Sequence, residues 1–376
     1  MKRIIYTAVC AAMLVSCDCK FDMTTIVDKD GSITRVISCQ ADSAFMCGTI
    51  AEDKCPIAVT PDWEPSWLMD GAKHQWPLTP EEYDSLCWGR RRVVDLTRRF
   101  ESVEEMNRQF QFDALLIPVK PVAELRKKFK LFHTDYTYTE TFPQYGNPKV
   151  PVTDYMSMDE AILFFQGAHD VNLTRSGSVM FDCLSNLFEQ AEKWLFANKL
   201  AEAFSYLVQN YDSIAGAPMS KQEFLAQEDA FIKSPVPDLA SADLDYQMLR
   251  KVLKDFFETD AYSDFIAANS QNMGDYYYPG CSKTLLTQGL PFFMNLTFDY
   301  VVCMPGTVIS APGARVGGNA AVFLMNFGQI YPADYTITVQ SRTQNIWAYV
   351  LLFILLTAAF IGIPLAKRKK LEEKSI

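Results

Sequence analysis

The chain reads as an α+β protein: one antiparallel sheet formed by an N-terminal hairpin and C-terminal strands, a helical block inserted between them, and one C-terminal transmembrane helix. Three observations predict this. Residues suited to strands flank a turn, Asp28-Lys29-Asp30-Gly31, near the start of the chain and return beyond residue 290. Apolar residues between these regions recur at spacings of three and four. A charge-free apolar run, Ile346 to Ala366, ends at four successive cations.

Taken in order, Lys2 and Arg3 precede an apolar run from Ile4 to Val15, the pattern of a secretory signal over residues 1–16. Phe21 to Val27 and Ser32 to Ser38 form the two arms of the hairpin. Residues 47–88, rich in Pro and Trp and without a sustained period, read as an ordered loop or insertion. Arg90 to Phe100 reads as a strand, and Ser102 with Glu105 makes a capping box that opens a helix ending near Phe110. Leu125 to Phe142 alternates throughout and reads as a single long, bent strand. The helical block covers about residues 157–270, with capping boxes at Ser157/Glu160 and Ser220/Glu223. Between them an apolar stripe includes Ala191, Leu195, Phe204 and Leu207. Short strands punctuated by Pro-Gly and Gly-Asn turns then run to about residue 340. Strands at both ends with helices between them favour the α+β class.

The two ends carry the strongest indications of location. Leu14-Val15-Ser16-Cys17 resembles the lipobox of bacterial lipoproteins, which implies cleavage before Cys17 and its modification by palmitate-type acyl chains. At ~1.5 Å per residue, Ile346 to Ala366 reaches about 31 Å, enough to cross a bilayer core. Trp347 and Tyr349 stand at its start, where amphipathic rings favour the interface. Lys367, Arg368, Lys369 and Lys370 follow it and predict that residues 367–376 are cytoplasmic. Residues 17–345 are then extracytoplasmic, on an inner or plasma membrane, with membrane lipid as partner through both the acylated N-terminus and the C-terminal helix. Eight cysteines remain once Cys10 leaves with the signal and Cys17 is acylated. Among these the hairpin brings Cys19 and Cys39 to nearly facing positions, a candidate disulfide in an oxidising compartment.

The hairpin close behind a lipobox, the segment MPGTVISAPGARVGGNAAVF from Met304 to Phe323, and the basic tail together resemble the LppM-type membrane lipoproteins. The resemblance covers about 80 residues at the two ends of the chain. Pro312-Gly313 stands where the family pattern leads one to expect Asn-Gly, and the helical block is longer than expected. The resemblance implies a β-rich envelope domain associated with lipid or glycolipid, and no catalytic residues.

The chain carries a net charge of −10, and subtracting its basic ends makes the remainder more acidic still. Such a field argues against nucleic acid as a partner. No phosphate-binding glycine loop, nucleophile elbow or HExxH is present, nor any CxxC pair. No cofactor or metal is therefore expected. Of the three histidines, His74, His133 and His169, only His133 shares a strand face with a carboxylate, that of Asp135. The Trp-rich segment and Tyr276-Tyr277-Tyr278 are the candidate aromatic recognition surfaces. The ranked expectations are a non-enzymatic envelope lipoprotein that scaffolds or binds a protein partner, then a lipid- or glycolipid-binding module, then an enzyme whose site is assembled from residues distant in sequence.

Overall fold

The computed structural model describes residues 21–49, 55–69, 72–74, 76–87, 92–112, 119–144, 148–167, 177–234, 246–277, 297–330 and 332–372, without the side chains of 69, 177–185, 246–247, 270–277, 327 and 361–372. The fold is mixed α+β with two sheets.

The first sheet starts with β1 (Phe21–Val27) and β2 (Ile33–Ala41), paired antiparallel with Thr25 opposite Arg35. It is extended by β3 (Glu64–Met69), β4 (Ala72–His74), β5 (Arg92–Phe100), β8 (Thr297–Cys303), β10 (Arg315–Gly317) and β11 (Ala320–Asn326), in the order β10-β11-β8-β1-β2-β5-β3-β4. The second sheet contains β6 (Val122–Phe129), β7 (His133–Phe142), β9 (Thr307–Ser310) and β12 (Tyr335–Gln344), in the order β6-β7-β12-β9. Alternation decides which side chains face inward. Met23, Ile33, Ile37, Leu96, Tyr300 and Phe323 from the first sheet, with Tyr138, Phe142, Ile337 and Val339 from the second, belong to one continuous core.

Several expectations are corrected here. A single antiparallel sheet is replaced by two sheets, and β1 meets β8 in parallel, with Ile26 beside Cys303. Both ends of the chain do meet in the first sheet, but β9 and β12 leave it to pair with one another and with β7. The Trp-rich segment is not merely a loop. It supplies β3 and β4 to a sheet edge and the helix α2 (Pro80–Cys87), after a four-residue α1 (Ser43–Met46). The expected bent strand from Leu125 to Phe142 is a tight hairpin of β6 and β7. Lys130 and His133 exchange backbone hydrogen bonds of 2.8 and 3.2 Å across Leu131-Phe132, which contain none of the usual turn residues.

After α3 (Val103–Gln109), the helices are α4 (Met158–Gln166), α5 (Gly177–Gln209), α6 (Lys221–Leu225), α7 (Glu228–Ile232), α8 (Tyr246–Phe257) and α9 (Ala261–Tyr277). Ser157 and Ser220 form the reciprocal capping boxes with Glu160 and Glu223. The helix α5 joins two cores. Ala191, Trp194 and Leu195 pack into the core between the sheets, whereas Leu200, Phe204 and Leu207 pack with α6 to α9 in a second core.

The last helix, α10 (Ile346–Glu372), begins where β12 ends. Among the described residues no helix is long and apolar enough to cross a membrane, which overturns the transmembrane segment expected at 346–366.

Candidate functional site

The parallel pairing of β1 with β8 brings together turns that are far apart in sequence. At the end of β1, the Asp30 carboxylate accepts from the Ser32 backbone N–H at 3.0 Å and from its hydroxyl at 2.8 Å. These bonds, the backbone one foremost, hold the Asp30 carboxyl below its usual range. Arg99 on β5 donates to the Ser32 hydroxyl at 2.8 Å and lies 3.6 Å from Asp28 and 3.8 Å from Asp30. At the end of β8, the Met304 N–H donates to the Asn319 carbonyl at 2.8 Å, and Ser341 on β12 donates to the Pro305 carbonyl at 2.8 Å. Between the two turn systems lies an open cavity of about 640 Å³, lined among others by Ile26, Lys29, Arg99, Cys303, Met304 and Asn319. Its charged rim is internally balanced, since Arg99 answers both aspartates.

In the core, a buried ionic cluster ties the two sheets together. Arg35 on β2 and Glu140 on β7 are both fully buried, and Arg35 Nη2 donates to both carboxylate oxygens at 3.1 Å. Tyr138 donates to Glu140 Oε2 at 2.7 Å, Tyr300 donates to the same oxygen, and the Thr25 and Tyr300 hydroxyls lie 2.9 Å apart. The Arg35 guanidinium also lies 4.3 Å over the Phe110 ring. Burial, the largest single influence, would lower the Arg35 pKa, but the Glu140 charge, the Tyr300 and Tyr138 hydroxyls and the hydrogen bonds to Glu140 together more than offset it, so the guanidinium stays charged. Burial, followed by the Glu140 charge, raises the pKa of both tyrosines, so their hydroxyls remain neutral donors. No sequence motif announces this cluster. Its one local sign is that Arg35 falls in phase with the inward-facing Ile33 and Ile37.

Most residues anticipated from sequence do not converge. His133 Nε2 is 3.7 Å from Asp135, but that carboxylate is already engaged by Arg342 at 2.6 Å and Lys130 at 2.8 Å. The Arg342 hydrogen bond foremost, then that of Lys130, holds the Asp135 carboxyl well below the usual range, so this carboxylate serves ion pairs with Arg342 and Lys130 rather than an acid–base dyad. His74 stacks on buried Trp67 with centroids 4.7 Å apart. Trp63 is buried too, and Trp76 donates to the Phe45 carbonyl at 3.0 Å, so these indoles build core instead of an exposed recognition face. Buried Cys39 has its sulfur 3.6 Å from that of Cys55. Its expected partner Cys19, the lipidation residue Cys17, and His169 and Tyr278 all lie outside the described residues, as do the side chains of Tyr276, Tyr277, Lys367, Arg368, Lys369 and Lys370. Trp347 and Tyr349 stand half-exposed at the base of α10.

Among the described residues no three His, Cys, Asp or Glu side chains are grouped to hold a metal ion. Comparison with protein-family models, with curated proteins and with solved structures gives no match to this chain, so the groove and the ionic cluster stand on their own residues.

Proposed function

We propose that this protein is a non-enzymatic lipoprotein of the cell envelope, tethered to a membrane through an acylated Cys17, that scaffolds or binds a protein partner at the open groove between the β1–β2 turn and the β8–β9 turn. The observation that carries the reading is the groove itself: about 640 Å³ of open space framed by two turns that parallel pairing of β1 with β8 brings together. Three of its charged groups, Asp28, Asp30 and Arg99, are committed to one another. Arg99 spans Asp28 and Asp30, and in the core Glu140 is shared by Arg35 and two tyrosines. A rigid rim with balanced charge suits docking of a polar segment better than proton transfer, which needs a group free to change its protonation state. The lipobox-like Leu14-Val15-Ser16-Cys17 supports the tether.

The test uses full-length protein in membranes of its native host, with a photocrosslinking amino acid at Lys29 or Asn319. A discrete protein adduct, weakened by Arg99→Glu, is the expected result. Recovery of lipid alone, or an adduct pattern identical to that from a probe on the far edge at Lys73, would overturn the reading. Labelled palmitate should enter the wild-type chain and not the Cys17→Ser variant.

A further inference from the structure

The hairpin that sequence periodicity hides has an unusual tip. Phe129 and Leu131 are 62 % and 54 % exposed, at a turn where Gly, Asn or Asp would ordinarily sit. The base of α10 is locked against this tip. The Asn345 side-chain amide donates to the Lys130 carbonyl at 2.7 Å and the Leu131 carbonyl at 3.2 Å, while its backbone N–H donates to the Phe132 carbonyl at 2.9 Å. Rings then meet across the junction: Phe129 lies parallel to Trp347 with centroids 6.4 Å apart, and Phe132 lies 5.1 Å from Tyr349. With Ile346 at 72 % and Trp347 at 52 % exposure, the result is an exposed apolar patch drawn from two elements.

The surroundings of the patch indicate what that occupant is. Arg126, Lys127, Lys128 and Lys130 border it, four cations in five residues of a chain whose net charge is −10. All four side chains are exposed; Arg126 donates to both Glu124 carboxylate oxygens at 2.7 and 3.0 Å, and Lys127 and Lys130 are steadied by the Lys29 carbonyl at 2.9 Å and by Asp135 at 2.8 Å. Exposed apolar rings bordered by cations match an anionic lipid surface, where acyl chains receive the rings and phosphates meet the amines. Continuity points the same way, because the described side chains of α10 from Tyr349 to Phe360 are all exposed and overwhelmingly apolar.

We infer that the β6–β7 hairpin tip and the base of α10 form a single docking surface for anionic phospholipid, with Phe129, Leu131, Ile346 and Trp347 as the apolar contacts and Arg126 to Lys130 as the headgroup contacts. This surface acts whether or not Cys17 is acylated and does not depend on the groove having a partner.

The experiment uses the full chain carrying Cys17→Ser, with no other protein present. Hydrogen exchange over residues 126–133 is followed as vesicles of phosphatidylcholine, or of phosphatidylcholine with phosphatidylglycerol, are added. Strong slowing by the mixed vesicles and weak slowing by pure phosphatidylcholine are expected. The surface change Arg126→Glu with Lys128→Glu should raise the anionic-lipid dose for half-maximal slowing about tenfold or more. Phe129→Ala with Leu131→Ala should abolish the slowing while exchange in the β2 and β8 core is unchanged. Unaltered exchange at 126–133 when α10 itself becomes protected by vesicles would overturn the inference. So would equal slowing by both lipid mixtures, or slowing without vesicles that grows with protein concentration.

Discussion

A cation and a carboxylate inside an apolar core impose opposite demands, and Arg35 with Glu140 meets them through shared hydrogen bonds. Removing one partner strands the other charge, so Arg35→Met or Glu140→Leu alone should cost about 3–5 kcal/mol in denaturant unfolding. Making both changes together should cost less than either alone, because no buried charge is then left unpaired. Equal, additive losses would show that the two residues act separately. Glu192 makes a different case. Half-buried on α5 and close to Glu189, it has its pKa pushed up to about 7, first by burial and then by that neighbouring charge. The folded protein therefore holds this proton more tightly than the unfolded chain. Its contribution to stability is present below the ordinary value of 4.5 and drains away as pH rises through about 7. Allowing for solvent screening, the loss is on the order of 1–2 kcal/mol. Glu192→Gln should raise the Tm at pH 8 and leave it nearly unchanged at pH 4.5, and an equal gain at both would disprove this origin. Neither residue's role can be read locally. The alternation in β2 shows that Arg35 faces inward, but its partner lies 105 residues away on another sheet.

At the level of elements, the signals that survive from sequence to structure are local ones. The reciprocal boxes at Ser157 and Ser220 depend on four consecutive residues and form in full. The β1–β2 hairpin also forms as read around its Asp-Lys-Asp-Gly turn. The β6–β7 turn was not legible because Lys130-Leu131-Phe132 continues the strand composition and carries no turn chemistry. Strand partnership is equally hidden, since alternation assigns a face and says nothing about which neighbour is met. One glycine shows how tightly these elements are fitted. Gly306 has φ +80°, and a Cβ there would run into the Arg342 backbone carbonyl on β12. Gly318, at φ +61°, faces open space instead. Gly306→Ala should therefore lower stability by about 2–4 kcal/mol, and Gly318→Ala by only about 1 kcal/mol. Similar denaturant midpoints for the two variants would mean that the β8–β9 turn is not held against β12.

Over the whole molecule, the decisive feature is that the two cores share one helix. The apolar stripe of α5 was visible as a three-and-four repeat, but a repeat cannot reveal that neighbouring residues serve different cores, as Leu195 and Phe196 do. A continuous helix is cooperative, so loss of packing on its C-terminal half weakens the turns that carry Trp194 into the core between the sheets. Phe224 tests that coupling. It is fully buried, stacks on Phe204 with centroids 4.5 Å apart, and also contacts Tyr211, Phe257 and Tyr262. Phe224→Ala should cost about 3–5 kcal/mol in the helical core. Trp63, Trp67 and Trp194 belong to the other core, Trp76 packs against it and Trp347 stacks on Phe129 at the tip of the second sheet, so the fluorescence of these tryptophans reports on the sheets while far-ultraviolet circular dichroism is weighted towards the helices. If α5 transmits the loss, both signals shift to the same lower denaturant midpoint. Should the helical signal fall first while the fluorescence transition stays where it is in the wild type, α5 is a passive connector and the helical block unfolds by itself.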